Sequence, residues 1–158
     1  MKTMRQISVF FLAIVMALSL AACGGSETTV VLKGDLTEST GGIPATDTWT
    51  LTAKGDIVQT VKEVYEMDFS DFDQETIDLA VSMFDEMILE PAQGIKGVSC
   101  TSKMNGSTYV ITLTIECKGS TIKDAANAGI LTVDGGTDAI SLKQTQASLE
   151  QQGYKVVK

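Results

Sequence analysis

The chain has 158 residues, with 12 basic residues against 20 acidic ones, a formal charge of −8 at neutral pH, and no histidine. Without histidine, Ser-His-Asp and Cys-His nucleophile pairs and imidazole metal sites are excluded. The acidic balance argues against nucleic acid, whose binding rests on cations set against phosphates, and equally against electrostatic docking on anionic lipid.

The first segment opens with Lys2 and Arg5 and is then almost wholly apolar from Ile7 to Leu20. That run is shorter than the roughly 20 helical residues a bilayer core requires. A basic start, a short apolar middle and small residues at its end describe an export signal, against the alternative of a buried core helix. Leu20-Ala21-Ala22-Cys23 resembles the lipobox of bacterial lipoproteins. The resemblance implies a diacylglycerol thioether on Cys23 and cleavage between Ala22 and Cys23. The competing reading is ordinary cleavage after Ala21, with Ser19 and Ala21 as the small residues. Residues 1–22 are thus expected to be a lipoprotein signal peptide, 23–27 a short lipid-anchored tether, and 28–158 one folded domain. Loss of residues 1–22 leaves ten lysines and no arginine, at a formal charge of −10. Bidentate guanidinium recognition of carboxylate or phosphate is then unavailable.

Thr28 to Leu32 is β-prone, and Leu36 to Asp47, with Gly41-Gly42 and Ile43-Pro44, reads as a loop. Thr48 to Thr52 alternates polar and apolar as a half-buried strand does. Lys54-Gly55-Asp56 is a turn, and Ile57 to Met67 returns as a longer strand. From Asp73 to Leu89 the period changes: Ile77, Val81, Phe84 and Ile88 share one helical face. Ser70 or Asp71 is the expected cap, with Pro91 just beyond the helix end. Val98 to Cys117 reads as a hairpin turning at Asn105-Gly106, with Val98, Cys100, Tyr109, Ile111, Leu113 and Ile115 on one face. In that register Cys100 faces Ile111, so Cys100 and Cys117 are expected as free thiols, with no disulfide. Thr121 to Ala128 is a short helical turn and Ile130 to Val133 a brief extended piece. Ser141 caps a final helix through Gln152, and Tyr154 to Val157 forms a terminal strand. The expected class is α+β: a single compact domain, a mainly antiparallel sheet and two main helices.

Few residues invite chemistry. Asp71, Asp73 and Glu75 alternate like the first ligands of a calcium loop. Thr76 stands where its glycine belongs and Ser82 where its glutamate belongs, and acids suit a helix start anyway. Trp49 and Tyr65 are pocket-lining or core candidates, Met83 and Met87 partner-surface or core candidates. Lys54 and Lys96 lie in glycine-flanked turns as ordinary solvated lysines. No metal and no cofactor is expected.

Gln93-Gly94-Ile95-Lys96-Gly97-Val98, with Lys54-Gly55-Asp56, Gly129-Ile130, Ile140 to Lys143 and Gln152 to Val157, resembles the YehR-like bacterial lipoproteins. These are a domain family of unknown function, and the likeness runs from about Trp49 onward. The resemblance implies a compact α+β domain on a lipid anchor and assigns no activity. The leading expectation is a non-enzymatic, lipid-anchored protein on the extracytoplasmic face of the cell membrane, held through Cys23 and binding an envelope protein or small ligand. The alternatives are a hydrolase or isomerase using two carboxylates or Cys100, and a purely structural envelope component.

Overall fold

The computed structural model describes residues 13–14, 25–133 and 138–158. The expected lipid site at Cys23 and the cleavage position at Ala22 and Cys23 lie outside these residues. In chain order the elements are β1 (Ala13–Ile14), β2 (Glu27–Asp35), β3 (Ala45–Lys54), β4 (Ile57–Asp68) and α1 (Gln74–Phe84). A wide π-helical turn (Asp85–Leu89) and a last helical turn, α2 (Glu90–Ala92), follow. Then come β5 (Val98–Asn105), β6 (Thr108–Glu116), α3 (Thr121–Asn127), β7 (Thr132–Val133), α4 (Leu142–Gln151) and β8 (Lys155–Val156). A six-stranded antiparallel sheet in the order β5-β6-β4-β3-β2-β8 carries helices against one face, an α+β fold. β1 pairs in parallel with β7, apart from that sheet.

Strand parity decides the layers. Alternate residues point to opposite faces, so Leu51, Ala53, Val61, Leu113 and Ile115 all face the helices and are buried. The other face carries Thr48, Thr50, Thr52, Thr112 and Thr114, half-buried β-branched side chains with hydroxyls for the solvent. Two apolar clusters fill the covered side. The larger joins Trp49, Leu51, Leu113 and Ile115 to Ile122 and Ala125 of α3 and Leu142 and Leu149 of α4. The smaller joins Met67, Phe69, Tyr109 and Ile111 to Ile77, Val81, Phe84 and Ile88.

Several boundaries differ from the sequence reading. β3 begins at Ala45, so part of the expected loop is strand, and α3 is a helix in its own right. Asp73, not Ser70 or Asp71, caps α1, its carboxylate accepting the Thr76 N–H at 2.8 Å. Pro91 lies inside the last turn, not beyond the helix. The preceding π turn, with the Glu90 N–H bonded to the Asp85 carbonyl, widens the backbone where a proline ring would otherwise meet the carbonyl four residues earlier. The hairpin turns at Gly106 and Ser107, so Cys100 pairs with Leu113 and not Ile111. Gly106 takes φ 62° at the first turn position, which a non-glycine residue adopts only with strain. The two-residue shift preserves parity and leaves every side chain on its expected face.

Asp56 fastens the β3–β4 turn to α4. Its Oδ2 accepts from Ser141 Oγ at 2.8 Å, its Oδ1 from the Lys143 N–H at 2.9 Å, and its carbonyl from the Leu142 N–H at 2.8 Å. A helix start has four N–H groups without intrahelical partners, and Asp56 takes two of them. Asp56→Ala removes the side-chain cap and is expected to destabilise the domain by about 1–2 kcal/mol, read as a lowered urea midpoint at unchanged slope.

Candidate functional site

Parity places two acids among the apolar residues of the covered face. The inward positions of β3 run Ala45, Asp47, Trp49, Leu51, Ala53, and those of β4 run Val61, Glu63, Tyr65, Met67. Asp47 is paired across the sheet with Tyr65, and Trp49 with Glu63, so both carboxyls and both aromatic rings meet on neighbouring strands. Asp47 is 1% exposed and Glu63 5%.

A buried carboxylate is tolerated only with donors around it. Trp49 Nε1–H donates to Asp47 Oδ2 at 2.6 Å, and the Tyr154 hydroxyl donates to the same oxygen at 2.7 Å. Tyr65 donates to Glu63 Oε1. Tyr154 follows α4, so the chain's C-terminal stretch folds back to complete the cluster. Gly34, opposite Asp47 on β2, makes room for it: a Cβ there would lie 2.7 Å from Cε1 of the Tyr154 ring. Asp47 Oδ1 has no hydrogen-bond partner among the described residues.

Burial pushes the Asp47 carboxyl up to about 6, against the pull of the Tyr154 and Trp49 donors. Glu63 is driven well above the carboxylate range, first by burial and then by the charge of Asp47. Burial and the neighbouring carboxylates raise Tyr65 and Tyr154 as well, which keeps both hydroxyls protonated as donors. A proton held on Glu63 leaves the pair with one charge instead of two, the state that a site of low polarity favours.

A second polar group lies where the π turn begins. Asp85 Oδ1 accepts from Ser102 Oγ at 2.9 Å and from the Tyr109 hydroxyl. Beside it runs an open cleft of about 420 Å³ lined by Asp78, Val81, Ser82, Asp85, Glu86 and Glu90. Cys100 is half-buried, and burial with the charges of Asp85 and Glu63 pushes its thiol up to about 11. Burial pushes the Cys117 thiol up to about 12. Neither supplies a thiolate at neutral pH. Cys117 lies four residues past Leu113, the partner of Cys100, about 14 Å along the strand.

Trp49 and Tyr65, core or pocket candidates in the sequence, are two of the three donors of the buried cluster, with Tyr154 the third. Asp73 is spent on its cap, Asp71 and Glu75 are exposed, and Met83 and Met87 are half-buried. Lys54 and Lys96 are exposed. Among the described residues no group of three or more acids and cysteines is arranged to hold a metal, and no helix is long and apolar enough to cross a membrane. Asp47 and Glu63 escaped the sequence reading. Glu63 had a signal, an acid in step with Val61, Tyr65 and Met67, whereas Asp47 stood in a segment read as loop.

A family model described as "Protein of unknown function (DUF1307)" matches residues 38–155. Among solved structures, the NMR structure of Escherichia coli YehR is similar with a TM-score of 0.66 at 17% identity, over 86% of this chain and 94% of that one. The NMR structure of a Streptococcus pneumoniae TIGR4 protein is similar with a TM-score of 0.53 at 16% identity, over 89% and 91%. At these identities the likeness concerns the fold. No match is found among curated protein sequences.

Two predictions follow from the cluster. For a carboxyl raised by folding, the folded state holds its proton after the unfolded chain has lost it. Its stabilising contribution is therefore full below the unfolded value and is lost as pH rises through the folded one. For Asp47, raised from 3.8 to about 6, that loss is about 3 kcal/mol. Asp35, Asp68 and Asp73 are lowered by hydrogen bonds from Thr37, Ser70 and Thr76, and their contribution is lost in the opposite direction, as pH falls below the ordinary range. Urea midpoints should therefore peak at about pH 4 and decline as pH rises through about 6. Glu63→Gln should flatten the decline towards pH 8; an unchanged decline would count against the raised Glu63 carboxyl. Separately, Gly34→Ala should push the Tyr154 ring from Asp47 and cost about 2–3 kcal/mol, while Tyr154→Phe should relieve part of that cost in the double variant, as a double-mutant cycle would show.

Proposed function

The chain belongs to the DUF1307 family of proteins of unknown function, and from that premise we propose that it is a lipid-anchored, non-enzymatic binding domain of the bacterial cell envelope. The anchor is a diacylglycerol thioether on Cys23, and the domain faces the extracytoplasmic side. The observation that carries this reading is the closeness of packed chain to the expected anchor. Gly25 is seated against the β3–β4 turn, where a Cβ on it would lie 2.5 Å from Gly55 Cα. A removable leader, a modifiable cysteine and an immediately following folded domain are the parts a surface tether requires. Two acyl chains on one residue hold where a single chain binds reversibly.

The binding role is supported by the state of the reactive groups. The paired carboxyls are covered and the thiols are held protonated, so a nucleophile or a solvent-facing acid–base pair is lacking among them. The acid-lined cleft beside Asp85 suits a polar or cationic ligand better than an anionic one. The hydrolase or isomerase reading requires the Asp47–Glu63 pair to be uncovered.

The test is the intact mass of protein extracted from membranes. It should begin at Cys23 and carry the added diacylglycerol, whereas Cys23→Ser should leave an unlipidated precursor. A wild-type product released into the medium and beginning at Ala22 would overturn the proposal.

A further inference from the structure

The two edges of the sheet are finished differently. At the β2 edge, Val31 bonds the C-terminal stretch, its N–H to the Lys158 carbonyl and its carbonyl to the Val157 N–H, each at 2.8 Å. β5, eight residues long, is the other edge. The Glu116 N–H bonds the Gly97 carbonyl at 2.8 Å, and the bonding alternates along the pair from there. Ser99, Thr101 and Lys103 spend their backbone groups on β6, while Cys100, Ser102 and Met104 turn theirs outward. Among the described residues, nothing bonds these three N–H groups and carbonyls. Edges are commonly guarded by proline, a bulge or charged side chains. β5 has only Lys103, which points to the threonine face and away from the helices.

One side of the helical stretch from α1 to α2 stands over this edge. Ile77, Val81 and Phe84 turn to the sheet. The residue after each of them, Asp78, Ser82 and Asp85, is rotated by about 100°, and Asp85 Oδ1 meets Ser102 Oγ at 2.9 Å. The cleft lined by these residues with Glu86 and Glu90 therefore runs beside the open backbone of β5. Residues 74–92 carry five acids and no lysine. Hydrogen bonds from Ser102 and Tyr109 leave the charge of Asp85 in place. Even with Lys96 and Lys103 counted in full against Asp78, Asp85, Glu86 and Glu90, the cleft stays negative.

We infer that the β5 edge and this cleft together form a docking groove for an extended basic segment of a partner protein, added antiparallel as a further strand. The inference rests on the binding-domain reading. Open backbone groups call for a strand, and the charge beside them calls for cations. In antiparallel pairing, the partner residues opposite Cys100, Ser102 and Met104 take up their N–H and C=O groups. Those same partner residues point their side chains to the helix side, about 7 Å apart. Lysine or arginine at these alternate positions meets Asp78, Asp85, Glu86 and Glu90. A second copy of this chain lacks that complement. β5 paired with β5 about a twofold axis would offer the acids Cys100, Ser102 and Met104, and would set two acidic helix sides next to each other.

The test uses protein extracted from membranes, its mass recorded, in discs of uncharged phosphatidylcholine. The probe is an end-blocked peptide alternating lysine and threonine over about eight residues, the length of β5. It should slow amide hydrogen exchange at Cys100, Ser102 and Met104 at least about tenfold, a free-energy gain of about 1.4 kcal/mol. The same peptide N-methylated at its lysines keeps its charge and loses the donors, and should bind at least about tenfold more weakly. Met104→Pro removes one outward N–H at a place where an edge strand tolerates proline, and E86Q with E90Q removes charge; each should weaken binding several-fold. Equal binding of the methylated peptide, or binding that leaves the three amides fast, would reduce the contact to charge attraction and overturn the groove. Slow exchange at raised protein concentration without peptide would give the edge to a second copy and overturn it too. Lipidated protein that binds no peptide overturns the groove and leaves the anchor standing. Protein without lipid that still shows the protection supports the groove and overturns the anchor.

Discussion

Two carboxyl groups on the covered face of a sheet must be satisfied from within, because water does not reach them. That requirement organises the middle of this molecule. Asp47 draws a donor from its own strand in Trp49 and another from beyond α4 in Tyr154, and Glu63 draws one from Tyr65. The Tyr154 contact in turn demands glycine at position 34. It also helps bring the C-terminal stretch to the sheet, where Leu32 pairs with Val156 and the edge of β2 is covered. A free strand edge is a template for unwanted pairing, and the short β8 covers part of this one. The polar cluster sits between the apolar cluster under α3 and α4 and the one under α1. Specific hydrogen bonds there fix the register that two greasy surfaces alone would define loosely.

Much of this was legible in the sequence, for physical reasons. Period-two alternation identified β3, β4 and the β5–β6 hairpin, and the face of every hairpin side chain survived a turn displaced by one position. A shift of partners by two preserves parity, so pattern is more robust than register. The spacing of Ile77, Val81, Phe84 and Ile88 located α1, while the identity of its cap did not follow, since Ser70, Asp71 and Asp73 all offer a suitable oxygen. The chain's membership in a family was legible too, from glycine-bounded turns that the fold uses as turns: Gly55, Gly94, Gly97, Gly129 and Gly153 all adopt positive φ.

The buried cluster was not legible, because its members come from separate segments. Asp47 and Tyr154 are far apart in sequence and meet only through the topology, with β8 laid against β2 and β2 against β3. Composition constrains what a chain can touch on average; topology decides what it touches at a given place.

The π turn between α1 and α2 holds one residue more than a regular helix would need for the same stretch. That surplus turns Asp85 towards Ser102 and Tyr109 and lets the chain continue through Pro91. Evolution can therefore change the helix cheaply at this point. A chain one residue shorter between positions 85 and 89 would close the wide turn to a regular helix, and Asp85 would turn from Ser102 and Tyr109.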